Sequence, residues 1–203
     1  MPAFGPSRRT LLRVLGAGIA ASAAPGLVNA VGTTPDHAPA GEEATFSLDE
    51  ILNAGHEFFG ITTKGVAEAV EYVFSVAGQP TGYIIGEEGS AAFVGGLRYG
   101  EGMLFLKSGA RQKVYWQGPS VGFDFGGNGS RALVLVYNID HVGELFDRFV
   151  GVEGSAYMIG GLGVNFQAGE KVTLAPIRTG IGARLGANVG YLKYTEAPTW
   201  NPF

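Results

Sequence analysis

Glycine that recurs on one face of a strand is the feature that most constrains this chain. In the run Gly180–Tyr194, GIGARLGANVGYLKY, the odd positions Ile181, Ala183, Leu185, Ala187, Val189 and Tyr191 are apolar. The even positions Gly180, Gly182, Arg184, Gly186, Asn188 and Gly190 are bare backbone apart from Arg184 and Asn188. Successive residues of a strand point to opposite faces. Glycine weakens a strand interior, so a glycine face marks tight curvature or close approach by another group. The split recurs in Ser120–Gly126, where Val121, Phe123 and Phe125 oppose Ser120, Gly122, Asp124 and Gly126. It recurs again in 161–168, where Leu162, Val164, Phe166 and Ala168 oppose Gly161, Gly163, Asn165 and Gln167. A β-sandwich would confine its glycines to edges and bends. Repetition on separate strands instead favours a sheet that closes on itself.

The remaining periodicities agree. Ser47 with Glu50 forms a capping-box pattern that opens a helix running to about Phe58, stopped near Gly60. A second helix is predicted from about Thr63 to Ala77, with Val66, Ala69, Val70, Val73, Phe74 and Ala77 on its buried face. From Thr81 the period is two, with strand candidates at 81–87, 91–98, 102–108, 112–117, 119–126, 130–137, 153–160, 162–168, 171–176 and 180–194. Glu87-Glu88 reads as solvated charge in a hairpin turn. Ala132–Tyr137 is apolar at every position and is expected to be covered on both faces. An inserted helix is predicted after it, capped by Asn138, with Ile139, Val142, Phe146 and Phe149 along one face. The expected fold is therefore α+β: a small closed or conical antiparallel β-barrel of about ten strands, with two N-terminal helices and one inserted helix.

Residues 1–30 read as a leader. Ser7-Arg8-Arg9-Thr10-Leu11-Leu12-Arg13 has the twin-arginine export pattern, an Ala/Gly-rich apolar segment spans Val14–Ala24, and Val28-Asn29-Ala30 offers a cleavage site near Ala30. The apolar segment is shorter than the roughly 20 residues of a spanning helix. Residues 31–45 read as a flexible lead-in and 46–203 as one barrel domain. Of 14 basic residues the leader holds three, leaving 11 against 18 acids, a net −7 after cleavage. That balance argues against nucleic acid and against electrostatic capture by anionic membranes. The sequence has no cysteine and three histidines, which excludes disulfides and thiolate-ligated metals, and no metal or cofactor is expected.

The motifs point away from catalysis. Gly118-Pro119-Ser120-Val121-Gly122 matches the nucleophile elbow G-x-S-x-G, but the following residues alternate as a strand where the motif needs a helix. A serine hydrolase using Ser120 is therefore the weakest alternative, and no catalytic residue is assigned. No glycine precedes a lysine, so no phosphate-binding P-loop exists. Arg178 and Arg184 stand in an otherwise apolar stretch. Two readings are open: pairing with Asp124 or Glu101 inside the barrel, or holding an anionic head group at its mouth. With Asn188 on the glycine face and Trp200 in the aromatic tail, they form the candidate ligand-binding set Arg178, Arg184, Asn188 and Trp200.

The blocks QGPSVGFDFGGNGSRALVLVYNIDHV and PIRTGIGARLGANVGYLKYTEAPTWNPF resemble the exported envelope-integrity (EipA) family of Gram-negative bacteria, long a domain of unknown function. The segments VGGLRYGEGMLFLK, YWQGPSVGFDFGG and ALVLVYN are also distantly similar to the SYLF lipid-binding domain. The resemblance covers roughly 45–203. It implies a periplasmic antiparallel barrel with helices, a role in cell-envelope integrity and no known enzymatic activity. SYLF domains usually carry basic lipid-contacting positions, and this acidic chain departs from that. The expectation is a non-catalytic periplasmic protein that binds a lipid or other apolar envelope component, does not span the membrane after processing and has no nucleic-acid partner. The alternative is a scaffolding partner of envelope proteins.

Overall fold

The computed structural model describes residues 44–60, 64–91, 96–120, 130–152, 154–179, 191–199 and 201. Helix α1 (Leu48–Phe59) starts as its capping box dictates: Glu50 N donates to Ser47 Oγ at 3.3 Å, and Ser47 N donates to Glu50 Oε2 at 2.8 Å. Gly60, at φ 64°, ends it in the left-handed conformation. Arg131 Nη1 donates to the carbonyls of Phe58 and Phe59 at 3.2 and 3.1 Å, supplying partners to a helix end that would lack them. Lys107 Nζ lies 2.8 Å from Glu50 Oε1, and this contact, with those from Ser47, lowers the Glu50 pKa to about 2.

Ser47→Ala is therefore expected to cost about 1 kcal/mol of stability. Because the folded-state pKa of Glu50 is depressed, its contribution is full above the unfolded value near ~4.3 and is lost as pH falls toward about 2. Urea melts at neutral pH and at the acid end should show both proteins losing the Glu50 contribution in acid, with the Ala deficit persisting because the bond from Glu50 N to Ser47 Oγ does not titrate.

Helix α2 (Lys64–Ala77) buries Val66, Ala69, Val70 and Val73, one stripe at helical spacing. Phe74 is half-buried, and Ala77, expected on that stripe, is exposed in the last turn. Among the described residues ten strands follow: β1 (Gly82–Ala91), β2 (Gly96–Leu106), β3 (Arg111–Ser120), β4 (Ser130–Tyr137), β5 (Arg148–Gly151), β6 (Tyr157–Ile159), β7 (Leu162–Val164), β8 (Gln167–Ala168), β9 (Thr173–Arg178) and β10 (Tyr191–Thr195). Eight of them close a ring in the order β4-β1-β2-β3-β10-β5-β8-β9, sealed by the pairing of β9 with β4. The hairpin β6–β7 lies outside the ring and extends from the end of β9 through Gly163↔Arg178 and Val164↔Ile177. Every pairing among the described residues is antiparallel.

Strand β4 separates two cores. Ala132, Val134 and Val136 point into the barrel with Ile84, Leu104, Val114, Trp116, Phe149, Leu174, Leu192 and Tyr194. Leu133, Leu135 and Tyr137 point outward and pack with Ala175 and Ile177 beneath α1 and α2. The uninterrupted apolar run of β4 has the two-sided cover expected of it.

Three expectations are corrected. The inserted helix is a single 3₁₀ turn, Val142–Leu145. Asn138 does not cap it; it takes a left-handed φ of 61° beyond β4, while the Glu144 carboxylate accepts from the N–H groups of Asp140 and His141. Phe149, assigned to that helix, enters the barrel on β5 opposite Leu192, so ring closure takes the residues a longer helix would need. Residues 96–98 of the candidate 91–98 join 102–106 in one strand, β2, while Ala91 ends β1 and 92–95 lie outside the described residues; β3 continues through Gly118 and Pro119 to Ser120. Glu87-Glu88 is not a turn. Both residues pair across β1 with Glu101 and Gly100 of β2.

Candidate functional site

The even positions of β1 face the barrel interior: Ile84, Gly86 and then Glu88. A carboxylate there is tolerated only if it is paired and hydrogen-bonded. Glu88 is 7% exposed. Arg178 Nε at the end of β9 lies 2.8 Å from its Oε1, Arg98 Nε of β2 lies 3.9 Å from the same oxygen, and Trp116 Nε1 donates to Oε2 at 3.1 Å. The Arg178 Nε contact is an ion pair and not an aligned hydrogen bond. Arg178 Nη1 donates to Asn165 Oδ1 at 2.7 Å. Burial pushes the Glu88 carboxyl upward, but the Arg178 and Arg98 guanidiniums and the indole N–H outweigh it and hold the pKa below the ordinary value. Glu88 is thus an anion locked into a frame. Its oxygens are committed to partners inside the barrel.

Glycine makes the frame. A Cβ on Gly100 would lie 2.1 Å from Trp116 Cε2, and one on Gly86 would lie 2.8 Å from Trp116 Cη2. The indole therefore lies directly on the backbone of β1 and β2, with Tyr194 beside it at 5.6 Å between ring centroids. Tyr194 is fully buried, its hydroxyl has no hydrogen-bond partner among the described residues, and burial pushes its pKa upward. Gly118 brings β10 equally close: a Cβ there would meet Tyr191 O at 2.1 Å.

Of the candidate ligand-binding residues, Arg178 is held inside the barrel by Glu88 and Asn165, while Arg184, Asn188 and Trp200 lie outside the described residues. The partners expected for Arg178 were Asp124 and Glu101. Asp124 lies outside the described residues, and Glu101 is exposed on the outer face, paired with Lys113 at 3.2 Å. Sequence reasoning missed Glu88 because EEGS reads as a turn. The available signal was its parity with Ile84 and Gly86, together with two arginines, Arg98 and Arg178, that needed an acid. Ser120 ends a β-strand paired with Gly96, and residues 121–129, on which the nucleophile-elbow reading turns, lie outside the described residues. His141 is exposed and contacts Glu144. Among the described residues no group of three or more histidine, aspartate or glutamate side chains is placed to hold a metal ion, and no helix is long and apolar enough to cross a membrane.

On the opposite face of the same strands is a groove of about 400 Å³. Cross-strand register sets its walls: Glu87↔Glu101↔Tyr115 forms one row and Gly89↔Tyr99↔Gln117 the next. Pro198 and Thr199, leaving β10, close one side. Gln117 is buried, and its Nε2 has no acceptor among the described residues.

A closed antiparallel barrel with a buried ion pair inside it and helices on one flank is a β-barrel scaffold. The chain belongs to the envelope integrity protein A family, whose family model matches residues 44–203. It is similar to the crystal structure of a beta-barrel-like, uncharacterized protein from Brucella abortus, at 57% identity and a TM-score of 0.71, over 78% of this chain and 99% of that one. No curated protein matches.

Proposed function

We propose that this protein is a non-catalytic, exported component that supports cell-envelope integrity from the periplasm by engaging a lipid or other envelope component. Membership of the envelope integrity protein A family carries the reading. The twin-arginine leader pattern, Arg8-Arg9, supports export. The described barrel interior is filled by side chains as large as Trp116, Tyr194 and Phe149, which favours contact on outer surfaces over an apolar ligand threaded through the ring. The same observation favours the second reading, a scaffold for envelope proteins.

Complementation of a deletion strain under detergent and cell-wall stress tests the proposal. Wild-type and Ser120→Ala proteins are expected to restore growth equally, whereas Arg8→Lys with Arg9→Lys is expected to leave precursor in the cytoplasm and restore little. Loss of rescue by Ser120→Ala, in a protein that folds and is exported, would point to catalysis instead. Full rescue by a protein retained in the cytoplasm would remove the periplasmic role.

A further inference from the structure

The outer groove over β2 and β3 is the strongest unassigned feature. At about 400 Å³ it falls within the few-hundred-to-one-thousand Å³ range of small-molecule sites. Its walls combine two half-buried tyrosines, Tyr99 and Tyr115, with two carboxylates, Glu87 and Glu101, above the buried amide of Gln117. Glu87 and Glu101 stand directly opposite each other across β1 and β2, a placement that repels unless each charge is matched. Both are matched from within the chain. Arg131 Nε lies 3.7 Å from Glu87, and Lys113 Nζ lies 3.2 Å from Glu101 and 5.2 Å from the Tyr115 ring centroid.

That matching decides the class of ligand. An incoming ammonium would compete with Lys113 and Arg131 for carboxylates already neutralised, and would gain little. An anion would face the two carboxylates. A neutral polyhydroxyl ligand avoids both penalties. An ionised carboxylate accepts at about four lone-pair sites, so each keeps free acceptors beside its cation. Tyrosine gives apolar area with a polar tip at low entropic cost, suited to the C–H face of a pyranose.

We propose that this groove binds a neutral saccharide, with Tyr99 and Tyr115 contacting sugar faces while Glu87 and Glu101 engage hydroxyls. The proposal deepens the envelope reading above by naming the component's chemistry, yet binding is read on purified protein and stands or falls apart from any cellular phenotype.

Calorimetric titration with maltose, N,N′-diacetylchitobiose and putrescine, each up to about 10 mM, covers the weak end of small-ligand affinity. At least one disaccharide is expected to bind saturably, and putrescine is not. Tyr115→Ala should weaken binding by roughly tenfold or more, the fold-change of about 1.4 kcal/mol. Tyr157→Ala, an exposed tyrosine of the outlying hairpin, should leave binding unchanged. If Tyr115→Ala fails to fold, Glu101→Gln at an exposed position carries the same expectation of weakened binding. Absence of saturable binding by both disaccharides overturns the proposal. So does putrescine binding of equal strength, which would mark a cation site, or saccharide binding indifferent to the groove variants.

Discussion

Replacing Glu88 with alanine is expected to cost about 3–5 kcal/mol, a large share of the ~5–15 kcal/mol by which a domain is ordinarily stable. The change removes one carboxylate and strands several groups at once. Arg178, 8% exposed, loses the oxygen 2.8 Å from its Nε, Arg98 loses the same partner, and the Trp116 indole N–H loses its acceptor at 3.1 Å. An uncompensated buried guanidinium costs far more than the net worth of the pair. The ion pair therefore need not be strongly stabilising for its disruption to be severe. Removing both ends separates these two quantities. Glu88→Met with Arg178→Met should cost clearly less than the sum of the single changes, and a double-mutant cycle from urea unfolding measures the difference. Additive costs would mean that Arg178 does not depend on Glu88.

The same pair sets a direction for acid sensitivity. The folded-state pKa of Glu88 lies below its ordinary value, because Arg178 and Arg98 outweigh the upward push of burial. A depressed carboxyl pKa contributes stability fully above the unfolded value near ~4.3, and that contribution disappears as pH falls through the folded value. Stability should thus be flat across neutral pH in this respect and drop in acid. Glu50 and Glu144, each with a pKa lowered to about 2 by lysine contacts, act in the same direction from the surface.

The sequence carried the architecture because closure leaves marks at many positions. Two-sided apolarity at Ala132–Tyr137, the capping box at Ser47 and the helical stripe of α2 are local patterns, and each element forms where its pattern stands. The polar centre was harder to read. Glu88 sits 90 residues before Arg178, and nothing local distinguishes an acid aimed into a barrel from one in a turn. Only the unbroken parity of β1 does so, and EEGS masks that parity with turn-forming composition. The inserted helix failed for a different reason. Its apolar spacing was real, but Ile139 and Phe149 satisfy it inside the barrel core, with Val142 and Phe146 packed against that core, and strand pairing of β5 with β10 and β8 takes precedence over helix propensity. The outer groove is formed by cross-strand neighbours and a returning tail, so it has no signature in linear order.

The second large effect is expected at Gly100. Gly100→Ala places a Cβ 2.1 Å from Trp116 Cε2, 2.3 Å from Nε1 and 2.4 Å from Cζ2. The indole is 1% exposed, flanked by Tyr194 and fixed to Glu88, so it cannot swing aside without breaking that hydrogen bond inside the core. Overpacking typically costs about 1–3 kcal/mol. The freed Glu88 acceptor adds a further ~1–3 kcal/mol. Gly100→Ala should therefore destabilise by about 3 kcal/mol or more in urea unfolding followed by circular dichroism. Gly89→Ala, where an added Cβ meets nothing within 4 Å, should stay within about 0.5 kcal/mol of wild type. The decisive comparison adds Trp116→Leu, which is costly alone because it leaves a cavity. Once the indole is gone, Gly100→Ala should add little, and that non-additivity would show that the glycine is present for the tryptophan. If Gly100→Ala is equally damaging with and without Trp116, the glycine serves the backbone path of β2 instead.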